Sequence, residues 1–290
     1  MCFYEKKISD INFKKYQGKH FDERWYTGPQ GTVIDSDSDG YHSDGRVLFK
    51  FGKSVISDKY TSLAIDTFLQ ESKKKHSNRG MASGIPDGEK NARHLTTSGQ
   101  SEGQYIASNI AGYFDRPLRE HRGILGTIVA CRTTAFTLKN KELWIKGLAF
   151  IQKCSKLYKK YANRYYKTQK NEWDHINKSL KIPKSVFTTV TSNYNWRTAC
   201  HCDSGDYSGG LGNLIVVGNN FTGGYLGFPQ FKVLIKIQPG DFLLMDVHQW
   251  HCNTKIKLNG GFRLSFVMYI RSDMYKCNTP KNINKFIYLI

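Results

Sequence analysis

The feature that most constrains the fold is a series of short apolar segments in the last 110 or so residues. Gly, Pro and Asn separate these segments at regular intervals. They cover residues 187–191, 197–203, 211–217, 225–228, 231–237, 242–245 and 262–270. Short strands with this spacing are typical of a β-sandwich or a jelly-roll barrel. We therefore expect a barrel-like β core whose open end can admit a cofactor.

A His-x-Asp pair, His201 and Asp203, lies in the second of these segments. Side chains on an extended strand alternate between two faces, so these two should share a face while Cys200 and Cys202 point to the other. Two ligands on one face can occupy neighbouring corners of a metal ion, and a third must come from elsewhere. Two imidazoles and one carboxylate form the open-sided ligand set of non-haem Fe(II) oxygenases.

Two histidines compete for the third position. His248 and His251 follow the apolar run 242–245, and on an unbroken strand they would face opposite sides, so that only one can serve. We favour His251, because the string from Trp250 reads as a continuation of the strand. A zinc site built from Cys200, Cys202 and the histidines is the alternative, but structural zinc cysteines usually come from turns with CxxC-like spacing.

The chain from about residue 187 to 274 resembles the double-stranded β-helix core of 2-oxoglutarate/Fe(II) dioxygenases, and more narrowly the TET/JBP group of nucleic-acid pyrimidine oxygenases. The phrases that carry the resemblance are Asn195-Trp-Arg-Thr-Ala, Gly205-Asp, Met245-Asp-Val-His-Gln-Trp-His-Cys-Asn-Thr and Gly261-Phe-Arg-Leu-Ser. The resemblance implies an α+β fold with a jelly-roll, cupin-like core buttressed by helices. It also implies Fe(II) held by His201, Asp203 and His251.

The same resemblance assigns the cosubstrate, 2-oxoglutarate, to Arg263, with Ser265 as a hydroxyl partner. A planar guanidinium suits a carboxylate because it can form two parallel hydrogen bonds. If Arg263 does not serve, Arg271 or a lysine would take that role. The expected organisation is a single dioxygenase domain over residues 1–290, with supporting elements in 1–180 and the β-helix core in 181–275.

The resemblance further implies oxidation of the 5-methyl group of a pyrimidine in DNA, with thymine to 5-hydroxymethyluracil as the first choice. Conversion of 5-methylcytosine to 5-hydroxymethylcytosine is the alternative, and hydroxylation of a protein side chain or an inactive basic nucleic-acid-binding module are alternatives of other classes. A methyl group in a duplex reaches buried iron only if its base is flipped out. Candidates to contact that base, or equally to support the site, are Tyr194, Trp196, Arg197, Asp206 and Asn213.

Charge also indicates a nucleic-acid partner. Lys and Arg number 43 against 24 Asp and Glu, which gives a net charge of +19. A lysine-rich proteome is the alternative explanation. The loop-like stretch 72–104 is basic, and its cations either clamp phosphates or belong to a solvated insertion: Lys73, Lys74, Lys75, Arg79, Lys90 and Arg93.

Residues 141–180 have helical periodicity with a break near Lys170. Apolar positions recur at Leu148, Ile151, Tyr158, Tyr161 and Tyr165, and the opposite face is basic: Lys153, Lys156, Lys159, Lys160, Arg164 and Lys167. We expect the apolar side to support the β core and the basic side to be solvated, although tyrosines among lysines also suit a nucleic-acid groove. Residues 46–51 predict a strand and 57–71 a helix.

Three further patterns bear on location and on metals. Seven scattered cysteines argue against a disulfide framework and for a reducing compartment. The sequence has neither the apolar region of a secretory signal nor an apolar run long enough to span a membrane, which predicts an intracellular protein of the nucleus or cytoplasm. Asp35 to Gly40 resembles half of an EF-hand loop, but Arg46 stands where a bidentate Glu is required, which favours an exposed acidic turn.

Overall fold

A computed structural model describes residues 2–74, 80–84, 106–115 and 131–278. The chain divides into two compact units. Unit 1 contains residues 1–109, 192–204 and 214–266, and unit 2 contains residues 110–191, 205–213 and 267–290. Each unit is therefore assembled from three separate stretches of sequence.

The described residues form six α-helices and thirteen β-strands. The helices are α1 (Asp10–Phe13), α2 (Arg24–Thr27), α3 (Asp58–Ser72), α4 (Ala135–Lys139), α5 (Lys141–Tyr161) and α6 (Asn163–His175), with 3-10 turns at Lys14–Tyr16, Gly80–Ser83, Lys178–Leu180 and Met274–Asn278. The strands are β1 (Cys2–Tyr4), β2 (Thr32–Ile34), β3 (Ser38–His42), β4 (Val47–Gly52), β5 (Ala107–Phe114), β6 (Arg132–Thr133), β7 (Thr189–Tyr194), β8 (Gly212–Gly223), β9 (Leu226–Phe228), β10 (Val233–Ile235), β11 (Phe242–Met245), β12 (Cys252–Asn253) and β13 (Ile256–Tyr269).

Unit 1 contains most of a large, mainly antiparallel sheet. Its strands, or the parts of them that lie in this unit, follow the order β1-β3-β4-β11-β8-β13-β7. Strand β11 pairs antiparallel with β4, which places Leu243 opposite Phe51. Both side chains are buried, as expected for strands that read as continuous apolar runs.

A second sheet in unit 1 has the order β12-β9-β10-β2. Strand β12 begins directly after His251, and Cys252 lies opposite Gly227 of β9. A Cβ atom on Gly227 would lie 2.2 Å from the hydroxyl of the buried Tyr26, so only glycine fits at this position. The start of β12 therefore lies close to β9, and this fixes the position of His251, the residue before β12.

Unit 2 is built around α5 and α6. The buried side of α5 includes Phe150, Ile151 and Tyr158. The chain leaves the helical conformation at Ala162, where φ is −142° and ψ is 60°. The hydroxyl of Tyr158 donates to Oε1 of Gln169 at 3.0 Å, so α6 folds back beside the end of α5. The predicted break near Lys170 is wrong, because alanine gives no breaking signal at the true position.

The segment 197–203 is not a strand, contrary to expectation. Its backbone groups bond to irregular segments: Ala199 N donates to Ala82 O at 2.9 Å and Cys200 N to Lys19 O at 2.8 Å. The segment forms one isolated antiparallel bridge, between His201 and His251. The predicted segment 242–245 matches β11, and the other β segments and the predicted helix near residues 57–71 are present with shifted ends.

One cysteine pair departs from the expectation of free thiols, because Cys131 and Cys277 of unit 2 are bonded as a disulfide. Several predictions fall outside the described residues, namely those on the basic positions Lys75, Arg79, Lys90 and Arg93. Among the helices that the structure describes, none has both the length and the apolar character required to cross a bilayer.

Candidate metal centre

Three side chains predicted as metal ligands meet in unit 1. One ligand atom from each of His201, Asp203 and His251 lies within 4.8 Å of the other two. The histidines are held opposite each other by two backbone hydrogen bonds, His201 N to His251 O at 3.0 Å and the reverse at 2.9 Å. Asp203 N donates to Val247 O at 3.0 Å, which fixes the carboxylate next to both rings.

Backbone carbonyls set the orientation of both imidazoles. Nδ1 of His201 donates to Ala199 O at 2.8 Å, and Nδ1 of His251 donates to Gln249 O at 2.9 Å. A carbonyl only accepts, so the proton of the neutral ring resides on Nδ1 and the lone pair on Nε2. The Nε2 atoms lie 3.4 Å and 3.7 Å from the Asp203 carboxylate oxygens. Nε2 is therefore the atom that each histidine offers to a metal.

The electrostatics of the group favour a deprotonated acid. Burial raises the pKa of Asp203, but the hydrogen bond and charge of His201 outweigh it and lower that pKa to about 2. Burial and the neighbouring His201 lower the pKa of His251 to about 4. At neutral pH the group thus offers a carboxylate and a neutral imidazole, the forms that bind a metal. The Asp203 side chain keeps 29% of its exposure, so one side of the group is open to solvent.

His248 is not in this group. The chain turns after β11, where Gln249 N donates to Asp246 O at 3.2 Å. Residues 245–251 are therefore not the unbroken strand on which His248 and His251 were expected to face opposite sides. Among the described residues, the one cluster able to hold a metal ion contains no cysteine. Cys200 and Cys252 instead pack in an apolar cluster with Phe13 and Tyr26, which leaves the zinc alternative without support.

Sequence reasoning missed a half-buried carboxylate that supports the His251 segment. Asp246 accepts hydrogen bonds from His42 Nε2 at 3.2 Å, from Gln249 Nε2 at 3.0 Å and from His248 N at 3.1 Å. Burial raises the pKa of Asp246, but these hydrogen bonds overcome it and the pKa is lowered. Because Gln249 O is the acceptor for His251, Asp246 fixes the loop that orients a ligand. His42 lies 204 residues away, so no local motif could indicate this contact.

Arg263, on β13, has no exposed surface. Nη2 donates to Gly224 O at 2.9 Å, whereas Nε and Nη1 are buried without a hydrogen-bond partner. Burial lowers the pKa of Arg263 to about 10. Asn195, at φ 49°, holds the strand here, because its Oδ1 accepts from Arg263 N at 2.7 Å. Ser265 lies two residues along the same strand, on the same face, and is buried. A buried cation with two unused donors fits an anionic ligand, as the carboxylate of 2-oxoglutarate would be.

The five residues predicted to contact substrate have different environments. Tyr194 is half-buried and stacks on Phe262 with ring centroids 6.3 Å apart. Trp196 and Asn213 are buried. Arg197 donates to Asp22 at 2.9 Å and to two backbone carbonyls. Asp206 and Asn213 belong to unit 2, whereas the other three belong to unit 1 with the ligand group.

The alternative cosubstrate ligand Arg271 lies in unit 2 and already has carboxylate partners. Its Nε donates to Asp115 at 3.0 Å, and its Nη1 lies 3.4 Å from Asp206. Arg263 and Arg271 are both buried, but only the guanidinium of Arg271 has carboxylate partners. Of the two arginines, Arg263 is therefore the better candidate to bind an anionic ligand.

Comparison with known proteins gives one family and a consistent set of relatives. Residues 122–272, just over half of the chain, match the family model Tet_JBP, described as the oxygenase domain of the 2OGFeDO superfamily. Thymine dioxygenase JBP1 of Crithidia fasciculata is 32% identical over 176 residues, 59% of this chain and 21% of that protein. Thymine dioxygenase JBP1 of Leishmania major is 32% identical over 257 residues, 84% of this chain and 27% of that protein. The chain therefore spans only a fifth to about a quarter of the length of these curated relatives.

Among solved structures, NgTET1 in complex with 5mC DNA matches with a TM-score of 0.55 and 15% sequence identity, over 84% of this chain and 83% of that one. At this identity the likeness concerns the fold. It confirms the expected α+β class with a double-stranded β-helix core.

Proposed function

The chain belongs to the Tet_JBP family, the oxygenase domain of the 2OGFeDO superfamily, and from that premise we propose that it oxidises the 5-methyl group of thymine in DNA to 5-hydroxymethyluracil. Fe(II) is the proposed metal and 2-oxoglutarate the proposed cosubstrate. The observation that carries the proposal is the convergence of His201, Asp203 and His251 in the same unit as a buried arginine with unused donors.

His201, Asp203 and His251 would hold the iron through two Nε2 atoms and one carboxylate oxygen. When bound, Fe(II) and 2-oxoglutarate supply the oxidising chemistry, in which O2 gives one oxygen atom to the methyl C–H bond and one to the cosubstrate, which leaves as succinate and CO2. The hydrogen bonds from each Nδ1 to a backbone carbonyl keep both rings in the tautomer and orientation that the metal requires.

Arg263 would bind the far carboxylate of 2-oxoglutarate through the donors that have no protein partner. Arg263 has no exposed surface, so a charge-assisted pair formed there would be strong. Ser265, on the same strand face, would add a hydroxyl contact. Gly224, at φ 64°, leaves the space that the guanidinium occupies, because a Cβ there would lie 2.7 Å from Nε of Arg263.

Support for thymine comes from the relatives, because proteins 32% identical to this chain carry the name thymine dioxygenase. NgTET1, solved with 5mC DNA, is 15% identical to this chain, and that likeness concerns the fold alone. Tyr194 and Trp196 are the proposed contacts for the flipped base, since aromatic faces can stack on it. Arg197, in the same unit, completes the proposed substrate set, and Asp206 and Asn213 of unit 2 stay separate predictions. Action on DNA would place the protein in the nucleus or the cytoplasm.

The test is nucleoside mass spectrometry of DNA incubated with the protein, Fe(II) and 2-oxoglutarate. Four substrates are compared, duplex and single-stranded DNA containing either thymine or 5-methylcytosine as the methylated base. The proposal predicts 5-hydroxymethyluracil with equimolar succinate, and no product from Asp203→Ala. Product only from 5-methylcytosine would overturn the choice of base, and succinate formation stimulated by peptide instead of DNA would overturn the class of substrate.

A further inference from the structure

One continuous segment of unit 2 concentrates positive charge. Residues 143–171 contain no Asp or Glu and eight cations, Lys146, Lys153, Lys156, Lys159, Lys160, Arg164, Lys167 and Lys170. A segment of this length would contain two or three acidic residues if the 24 of the chain were evenly distributed. The local excess of +8 is a large share of the net charge of +19. The charge is therefore not spread evenly, as a lysine-rich composition alone would spread it.

Five of these cations form an exposed surface, which we call the basic face: Lys156, Lys159, Lys160, Arg164 and Lys167. They lie on the last turns of α5 and the first turns of α6. Tyrosines stand among them, and Lys159 Nζ lies 5.8 Å from the ring centre of Tyr166 while Lys160 Nζ lies 5.5 Å from that of Tyr161. These contacts limit the freedom of the long side chains without neutralising their charge.

The scaffold below the basic face is rigid. Tyr158 is fully buried, accepts a hydrogen bond from Leu211 N at 2.7 Å and donates to Gln169 at 3.0 Å. Gln169 in turn donates to Val186 O at 2.7 Å. The corner at Ala162 thus has one geometry, which holds the charges of two helices side by side.

The basic face differs in ion pairing from eight cations elsewhere in the described chain. Lys6, Arg46, Lys50, Lys53, Lys74, Arg197, Arg271 and Lys276 each contact a carboxylate. Within residues 131–278, by contrast, no carboxylate pairs with any of the five basic-face cations, whereas Lys170, outside the basic face, pairs with Asp174. Five unneutralised cations on a rigid exposed surface favour a polyanionic partner.

We propose that the basic face binds the phosphate backbone of double-stranded DNA and holds the substrate independently of sequence. This inference rests on the proposed function, which makes DNA the substrate. Duplex DNA presents one charge per about 1.7 Å of axis, so a row of fixed cations can contact several phosphates at once. An anionic membrane fits less well, because a surface helix binds lipid by burying its apolar side, and the apolar side of α5 lies within the protein.

The test compares two triple variants that remove the same charge. The first is Lys156→Gln/Lys160→Gln/Arg164→Gln, and the control is Lys7→Gln/Lys59→Gln/Lys257→Gln, at exposed positions of unit 1. Fluorescence anisotropy measures the affinity for a labelled duplex of about 30 base pairs between about 50 and 200 mM salt. Each lost phosphate contact makes the slope of log K against log salt shallower by about 0.9, so the basic-face variant should lose about 3 from the slope and the control less than about 1.

Equal slopes for the two variants would overturn the proposal, because the effect would then come from net charge alone. It would also be overturned by a basic-face variant that binds DNA like the wild type but no longer binds vesicles containing phosphatidylserine. Failure of the proposed function is separate, since it would appear as wild-type protein that binds duplex DNA yet forms no 5-hydroxymethyluracil. Unchanged far-ultraviolet circular dichroism excludes unfolding as the cause.

Discussion

Replacement of Arg263 by Met tests whether this guanidinium awaits a ligand or belongs to the permanent core. Burial lowers its pKa from the usual 12.5 to about 10, which corresponds to about 3 kcal/mol against the charged form in the folded, ligand-free protein. The substitution removes that cost but also the hydrogen bond to Gly224 O, which contributes about 1.5–3 kcal/mol. The free energy of unfolding of the ligand-free variant should therefore equal that of the wild type or exceed it by about 1 kcal/mol.

The assay is urea unfolding with and without 2-oxoglutarate, in the presence of Fe(II) and without oxygen. At a concentration of about 100 times its Kd, 2-oxoglutarate should stabilise the wild type by about 2.7 kcal/mol and leave Arg263→Met unchanged. Arg197→Met is the matched control, since Arg197 is also buried but has protein partners, and it should lose about 3 kcal/mol. A loss of that size in Arg263→Met, or full stabilisation of this variant by 2-oxoglutarate, would refute the reasoning.

Three further substitutions test the surroundings of the site. Gly224→Ala should weaken 2-oxoglutarate binding at least several-fold in calorimetry, because φ is 64° and the new Cβ displaces the Arg263 guanidinium; unchanged affinity would contradict this. Asn195→Ala should destabilise the protein by about 1 kcal/mol more than Asn195→Gly in urea unfolding, since φ is 49°, and equal losses would refute that. Asp246→Asn should cost about 1–3 kcal/mol at pH 7. Because the folded pKa of Asp246 is lowered, its contribution is fully present above its ordinary value of 3.8 and is lost as the pH falls through the folded pKa, so the gap between the unfolding curves should narrow below pH 3.8; a gap that stays constant there would contradict the assignment.

The residues of the site were predictable from the sequence because they are chemically rare and regularly spaced. A His-x-Asp pair and a later histidine predicted the ligand set, whose ligand atoms lie within 4.8 Å of one another, and the arginine of the Arg-x-Ser pair is buried. The apolar blocks also predicted most strands, since burial on both faces leaves a run such as 242–245 without polar residues.

Local conformation was less predictable where tertiary contacts determine it. The segment 197–203 has a strand-like composition, but its backbone groups bond to residues near Lys19 and Ala82, which lie far away in sequence. The choice of His251 over His248 agrees with the structure, although the strand assumed in that argument turns at Asp246. Pattern and chemistry therefore indicated three residues that lie close together in the structure, while the loop that carries one of them depends on contacts without a sequence signature.

Long-range polar contacts were also not predictable from the sequence. The His42–Asp246 pair joins positions 204 residues apart, and no local pattern links the two residues. The break at Ala162 gave no signal either, because the apolar pattern continues through Tyr165 and alanine is a good helix former. Such features follow from packing of the completed fold, which periodicity along one segment does not encode.

The central claim is that His201, Asp203 and His251 bind one ferrous ion, and Fe(II) titration by anaerobic calorimetry tests it most directly. The wild type and His248→Ala should each bind one equivalent with similar affinity, because His248 lies outside the ligand group. His201→Ala, Asp203→Ala and His251→Ala should each lose that binding. One equivalent of Fe(II) retained by His251→Ala and lost by His248→Ala would contradict the assignment.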